Sequence, residues 1–327
     1  MTTFLRCNRL ATLALALAAM AAGVAHGQAY PARTVRMVVP FAAGGSVDVV
    51  ARVLAQKLGS ALGQQVIVDN KPGANGNIGT ELVARAPADG YTLLIGPDSN
   101  LTVNPLLFPG QGLPTSKDLA PVSLLTRIGV GLIVNPALPV TTVAEYLAYA
   151  RTLPNGLSFG SPGTGTPHHL AGELLKQVAG VNLVHIPYKG GGPAMIDLLG
   201  NQVPSAMIAL AIAAPHIKSG RLRLLAVTQA ARSENFPATP TVGETIKGFD
   251  VTSWMGLFVP AGTPADIVQR LNVEARKALQ EPATAQALGA QSLEVVASTP
   301  GELAERITLE SERWARLIKS NNIKATP

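Results

Sequence analysis

Residues Val35 to Lys57 read VRMVVPFAAGGSVDVVARVLAQK: a β-branched run, a glycine-bearing bend, then a helical pattern that begins at or near Ser46. Val47, Val50, Leu54 and Leu58 recur at helical spacing, so one face of that helix is apolar and belongs on a sheet. A strand that bends sharply into a helix leaves several amide N–H groups without an intrahelical partner, with the positive end of the helix dipole behind them. Such a place stabilises an anion. Gly44 and Gly45 serve either the tight turn itself or the close approach of a ligand to the backbone. Phe41, Ala42, Ala43 and Ser46 share the bend and are candidates for the same contact. Asp48 falls in the first helical turn, where a carboxylate either caps amides or meets ligand or water.

Downstream, Val66 to Asp69 has strand character, NKPGANG follows over 70–76, and a helix runs from Asn77 through Ala84. Asp89-Gly90 turns into a third strand, Tyr91 to Ile95. Strands alternating with amphipathic helices predict βαβ units and parallel pairing. Pro97-Asp98-Ser99-Asn100 follows the third strand at its carboxyl end, where ligands of open α/β sheets bind, so Ser99 is a candidate contact. Val122 to Leu125 and Val130 to Val134 have no helix between them, the pattern of a strand that leaves one sheet and enters another.

The opening motif then recurs. Leu157 to Phe159 is a short strand, GSPGTGT over 160–166 is a bend, and Pro167 to Val178 is a helix with Leu170, Leu174 and Val178 on one face. Thr166 suits the N-cap and Pro167 the first helical position. Ser161, Gly163, Thr164, Gly165 and Thr166 either shape and cap the turn or face a cleft, where short hydroxyls suit carboxylate oxygens. His168 and His169, being adjacent, point to different sides of the helix, and His169 reads either as a buried, hydrogen-bonded histidine or as a ligand contact. Leu183 to Ile186 leads into PYKGGGP over 187–193, where Tyr188, Lys189 and Gly190 offer contacts. Ser253 to Pro260 is an apolar strand that returns to the first lobe, and Thr263-Pro264-x-Asp266 and Thr299-Pro300-x-Glu302 open two further helices. The expected organisation is one lobe from 28–127 with 250–327 and a second from 128–249, joined by a hinge.

Composition narrows the chemistry. At 327 residues the chain exceeds the usual size of a single core. Arg6 and Arg9, the apolar run Leu10 to Val24 and Ala25-His26-Gly27 have the order of a cleavable signal peptide over 1–27, which implies export. Its removal takes away Cys7, the sole cysteine, and lowers the net charge from +6 to +4. His168, His169, His185 and His216 lack metal-ligand spacing, so no metal is expected. No dinucleotide or P-loop glycine pattern and no G-x-S-x-G elbow is complete, so no cofactor is expected either. The basic residues are scattered with few aromatic neighbours, unlike a nucleic-acid surface. With only 4% aromatic residues the chain offers little stacking surface for sugars, and amides with hydroxyls match a small carboxylate better.

The segments Tyr30 to Arg52, Val66 to Gly79, Ala88 to Leu94, His168 to Leu174, Val184 to Ala194 and Trp254 to Pro264 together resemble the Bug family, the TctC-like extracytoplasmic solute receptors of tripartite tricarboxylate transporters. The resemblance covers essentially the whole chain after the signal peptide. It implies an α/β, two-lobed periplasmic-binding-protein fold of the type II, Venus-flytrap kind, each lobe a mostly parallel sheet flanked by helices. It implies a monomeric periplasmic receptor that closes on a di- or tricarboxylate, amino acid or aromatic acid and hands it to membrane permease subunits. The bends at Phe41 to Ser46 and Ser161 to Thr166 would grip the ligand from opposite lobes, with Asp48, His169 and Tyr188 carried over by position. Two other readings stand beside it: a carboxylate sensor for a membrane kinase, and a periplasmic lyase or hydrolase using His169 with Asp197.

Overall fold

The computed structural model describes residues 30–324, so the expected signal peptide lies outside the described residues. The first half of the chain runs β1 (Val35–Val39), α1 (Ser46–Leu62), β2 (Val66–Asn70), α2 (Asn77–Ala84), β3 (Thr92–Pro97), the short α3 (Ser99–Thr102) and α4 (Asn104–Leu107), β4 (Leu119–Ile128), β5 (Val130–Val134) and α5 (Val143–Thr152). There follow β6 (Leu157–Ser161), α6 (Pro167–Ala179), β7 (Leu183–Pro187), α7 (Gly191–Leu199), β8 (Ser205–Ala209), α8 (Leu210–Lys218), β9 (Arg223–Val227) and α9 (Val242–Thr245). The chain closes with β10 (Ser253–Pro260), α10 (Ala265–Gln280), α11 (Pro282–Ala290), β11 (Leu293–Val295) and α12 (Pro300–Ser320).

These strands make two sheets, ordered β11-β4-β10-β3-β1-β2 and β7-β6-β8-β5-β9. Each is parallel over its βαβ half, β1 with β2 and β3, and β6 with β7 and β8. The strands next to the crossings run antiparallel, β10 against β3 and β4, and β5 against β8 and β9. The sheets are therefore mixed, because a strand arriving from the other lobe enters without a crossover helix to reverse it.

Both faces of each sheet are covered, which is why β1 is apolar on successive residues and does not alternate. Val35, Met37 and Val39 pack with Val50, Leu54 and Leu58 of α1 and Leu271 of α10. Val38 faces the opposite layer, with Trp254, Phe258, Leu303 and Ile307. In the second lobe Leu132 and Phe159 pack with Leu170 and Leu175 of α6, while Ile133 and Ala206 face Met195 and Leu198 of α7. The last helix divides its apolar stripe: Leu303 and Ile307 join the first lobe, Trp314 and Leu317 the core of the second.

The chain crosses between lobes at Gly129, where a Cβ would stand 2.8 Å from the Leu210 side chain. The elements least visible in the sequence are β8 and α8. Ser205 to Ala214 is almost uninterrupted small and apolar sequence, and the strand gives way to the helix at Ala209-Leu210 with no glycine or proline to mark the turn.

Helix α6 lies so close to β6 that a Cβ on Gly172 would sit 2.1 Å from a Phe159 ring carbon. Alanine at 172 improves helix propensity by about 1 kcal/mol, but overpacking a buried ring costs about 1–3 kcal/mol. Gly172→Ala is expected to lower stability by about 1–2 kcal/mol in urea denaturation, with Phe159→Leu restoring part of the loss in the double variant. A neutral or stabilising Gly172→Ala would show that the helix can shift outward freely.

Candidate functional site

The first bend is fixed by one carboxylate. Asp48 is 3% exposed; its Oδ2 accepts from the Gly44 amide at 2.9 Å and Arg52 Nε at 2.8 Å, and its Oδ1 accepts from Asn70 Nδ2 at 3.0 Å. The same Asn70 amide group donates to the Phe41 carbonyl, tying the end of β2 to the bend. The Arg52 hydrogen bond, aided by the Gly44 amide and Asn70, holds the Asp48 carboxyl down at about 2. Gly44 has φ +85°, which only glycine adopts without strain, and it turns its amide inward to Asp48. Asp48 thus serves the bend from behind. Helix α1 starts after Gly45 with no side-chain cap, so the amides of its first turn have no intrahelical partner.

The second bend is fixed by stacked histidines. Thr166 caps α6, its Oγ1 accepting from His169 N and donating to the Gly163 carbonyl. His169 Nδ1 accepts from the Gly165 amide at 3.1 Å, and its ring stacks on His185 with centroids 3.8 Å apart. His185 Nε2 is 2.7 Å from Ser161 Oγ, which also accepts from the Gly163 amide. Tyr188 N donates to the Ser161 carbonyl and Gly190 N to the Pro162 carbonyl, so the 187–190 loop buttresses the bend. Tyr188 Oη donates to Asp197, and desolvation first, then that contact, pushes its hydroxyl up to about 12. Asp197 is therefore the partner of Tyr188, while His169 turns to Gly165 and His185.

Between the bends lies a cleft of about 340 Å³. Phe41, Gly45, Ser46 and Val47 form one wall, and Pro162, Thr166, Pro167 and His168 form the other, with Gly191 at the start of α7 beside them. Asn75, Ser99, Ser253 and Met255 line the floor and sides. Of the residues expected from sequence, Phe41, Gly45, Ser46, Ser99 and Thr166 line this space. Ala42, Ala43 and Gly44 are exposed along the first bend, and Lys189 is exposed on its loop. Ser161, Gly163, Gly165 and His169 build the second bend from behind. Thr164 is half-buried within the same bend.

Of the lining residues that the sequence reading missed, His168 and Asp98 carry titratable groups. His168 is 9% exposed with neither ring nitrogen hydrogen-bonded, and it stands on the cleft while His169 turns into the lobe. The divergence of adjacent helical side chains was the available signal, and it pointed to His168 as much as to His169. Asp98 also lines the cleft, yet its Oδ1 accepts from Ser99 N and its Oδ2 from Trp254 N. Burial, then the charge of Glu310, pushes its carboxyl well above the ordinary carboxylate value, which weakens its repulsion of an anion. Among the described residues no cluster of three His, Cys, Asp or Glu could hold a metal, and no helix is long and apolar enough to cross a membrane.

A model of the tripartite tricarboxylate transporter family receptor matches residues 50–323. The chain belongs to that receptor family. Its fold is similar to the periplasmic binding protein BugD, at 36% identity with a TM-score of 0.76 over 91% of this chain and all of that one. Rpa4515 of R. palustris, solved with adipate, is 34% identical with a TM-score of 0.80 over 91% of this chain and 100% of that one. MatC from Rhodopseudomonas palustris, solved with malate, is 31% identical with a TM-score of 0.76 over 88% of this chain and 100% of that one. The protein is thus a two-lobed periplasmic solute-binding receptor and not an enzyme.

Burial holds the imidazoles below their ordinary value: His169 at about 3, His185 and His168 at about 4. At neutral pH all three are uncharged, so the second wall offers an ion dipoles and hydrogen bonds and no imidazolium. Because the unfolded chain protonates these groups near 6.5, it binds more protons than the folded one below that pH, and the receptor loses stability as pH falls from about 6.5 towards 4. His169→Gln, which keeps an acceptor for the Gly165 amide, is expected to flatten the loss between pH 6.5 and 4.5 in urea titrations. An unchanged pH slope would remove His169 from the account.

Proposed function

We propose that this receptor closes its two lobes on a small carboxylate, of the dicarboxylate class, and presents it to permease subunits of a tripartite tricarboxylate transporter. The observation that carries the reading is the cleft itself, with the uncapped start of α1 on one wall and the start of α6 on the other. Two helix N-termini converging on one space favour an anion with charge at both ends. At about 340 Å³ the space is at the small end of ligand pockets, which suits a short-chain acid. The adipate and malate of the two similar receptors support the same class.

In this mechanism the first carboxylate meets the amides of Gly45, Ser46 and Val47, which Asp48 holds in place by fixing the turn beneath them. Closure then brings Thr166, Pro167 and His168 onto the far end. A ligand that touches both walls stabilises the closed form by its extra affinity for that form. Neutral amides and an uncharged histidine hold the anion by hydrogen bonds without a fixed counter-charge, so opening does not have to separate an ion pair.

The test uses calorimetry and thermal shift with mono-, di- and tricarboxylates against sugars and amines of equal size. Binding of dicarboxylates, lost when both acids are replaced by carboxamides, is expected; capture of sugars or amines instead would overturn the reading. Ser46 is the first residue of α1, where proline is tolerated but has no N–H to give. Ser46→Pro is expected to weaken the carboxylate about 10- to 100-fold, the worth of a charge-assisted hydrogen bond, with the fold intact. Ser46→Ala keeps the amide and is expected to bind within a few-fold of the wild type. Equal losses in the two variants would assign the contact to the hydroxyl.

A further inference from the structure

The scattered basic residues of the sequence are partly gathered by the fold. Arg127 on β4, Arg276 on α10 and Arg306 on α12 line one cavity of about 390 Å³ on the first lobe, with Gln280 beside them. These arginines are far apart in the chain, and three separate elements bring them together. The carboxylate side chain on that wall, Glu302, has its Oε2 engaged by the amide and hydroxyl of Thr299 in the capping box of α12. Glu294 lies opposite Arg127 across the β4–β11 ladder without forming an ion pair with it.

Arg306 is held on two sides. Its Nε donates to Glu310 at 2.6 Å and its Nη2 to Thr252 at 2.7 Å. Among the described residues the side chains of Arg127 and Arg276 make no hydrogen bond or ion pair, and the Nε of each is buried without a partner. The Thr299 hydrogen bonds hold the Glu302 carboxyl low, and the charge of Arg276 helps. Unpaired buried N–H donors are costly, and three guanidinium groups around one space repel one another. An anion bound at the guanidinium ends offsets that repulsion.

We propose that this cavity is a second anion site, separate from the cleft, and that it takes inorganic phosphate. Guanidinium forks match tetrahedral oxyanions with paired N–H···O bonds. Donors arriving from three elements suit an anion with oxygens in several directions better than a planar carboxylate, which one fork satisfies. The site has a route to the cleft. Arg306 holds Glu310, whose other oxygen accepts from the Trp254 indole at 2.7 Å, and the Trp254 amide donates to Asp98 on the cleft wall.

The experiment is a calorimetric titration of the receptor with sodium phosphate at low ionic strength, matched throughout with sodium chloride because exposed charge is screened by salt. Saturable phosphate binding is expected in the wild type. The double substitution R127Q/R276Q is expected to weaken it by about tenfold or more, leaving carboxylate binding in the cleft within a few-fold of wild type. Among the described residues neither arginine makes a hydrogen bond or ion pair, Arg276 acting only through its charge on Glu302, and circular dichroism with the thermal midpoint checks the fold; Arg276→Gln alone is expected to act in the same direction. Ser46→Pro, which strikes the cleft, is expected to leave phosphate binding unchanged. Absence of saturable binding above chloride, equal phosphate affinity in R127Q/R276Q, or loss of phosphate binding in Ser46→Pro would each overturn the second site, and none of these bears on whether a carboxylate occupies the cleft.

Discussion

The hydrogen bonds of the Asp48 carboxylate are the constraint on which the binding wall rests. A glycine-rich bend has the largest conformational freedom of any segment, and left to itself it would not present amides in a fixed direction. Asp48 removes that freedom by joining Gly44, Arg52 and Asn70 at one point, the last of which also grips Phe41. The carboxylate stays ionised well below neutral pH, because its partners, Arg52 first, hold it at about 2. The bend is therefore tied down from behind, and the amides of the first turn of α1 keep no intrahelical partner.

The two walls solve one problem by different means. The first uses an ionised group behind flexible backbone; the second uses uncharged aromatic rings. His169 and His185 stack in the interior and take hydrogen-bonding atoms from Gly165 and Ser161, so the turn is held by packing and neutral dipoles. Had both brackets been anionic, two buried negative charges would flank an anion site. Asp98 is the remaining carboxyl on the cleft, and its raised pKa follows from the same economy: burial beside Glu310 favours the protonated form.

Much of this was legible before any coordinates. Strand, bend and helix at Val35 to Lys57, their recurrence at Leu157 to Val178, and the crossing between Leu125 and Val130 all follow from periodicity and from the placing of glycine and proline, which are local properties. What was not legible is long-range. Nothing local told that β10 would run antiparallel between β3 and β4, or that α12 would give Trp314 and Leu317 to the second core. The site divides in the same way. Glycines and hydroxyls at the bends marked the walls, but which of the adjacent His168 and His169 lines the cleft depends on how α6 packs on its lobe: His168 stands on the cleft, and His169 turns to Gly165 and His185.

The division of α12 bears on how closure can work. A Venus-flytrap motion needs strands that bend at the crossings, yet here one 21-residue helix is anchored in both cores, through Leu303 and Ile307 at one end and Trp314 and Leu317 at the other. A rigid rod fixed to both lobes would resist any rotation that changes the distance between its anchors. It permits rotation about an axis close to the rod itself. Any hinge between the lobes is then constrained by α12 as well as by the crossing at Gly129.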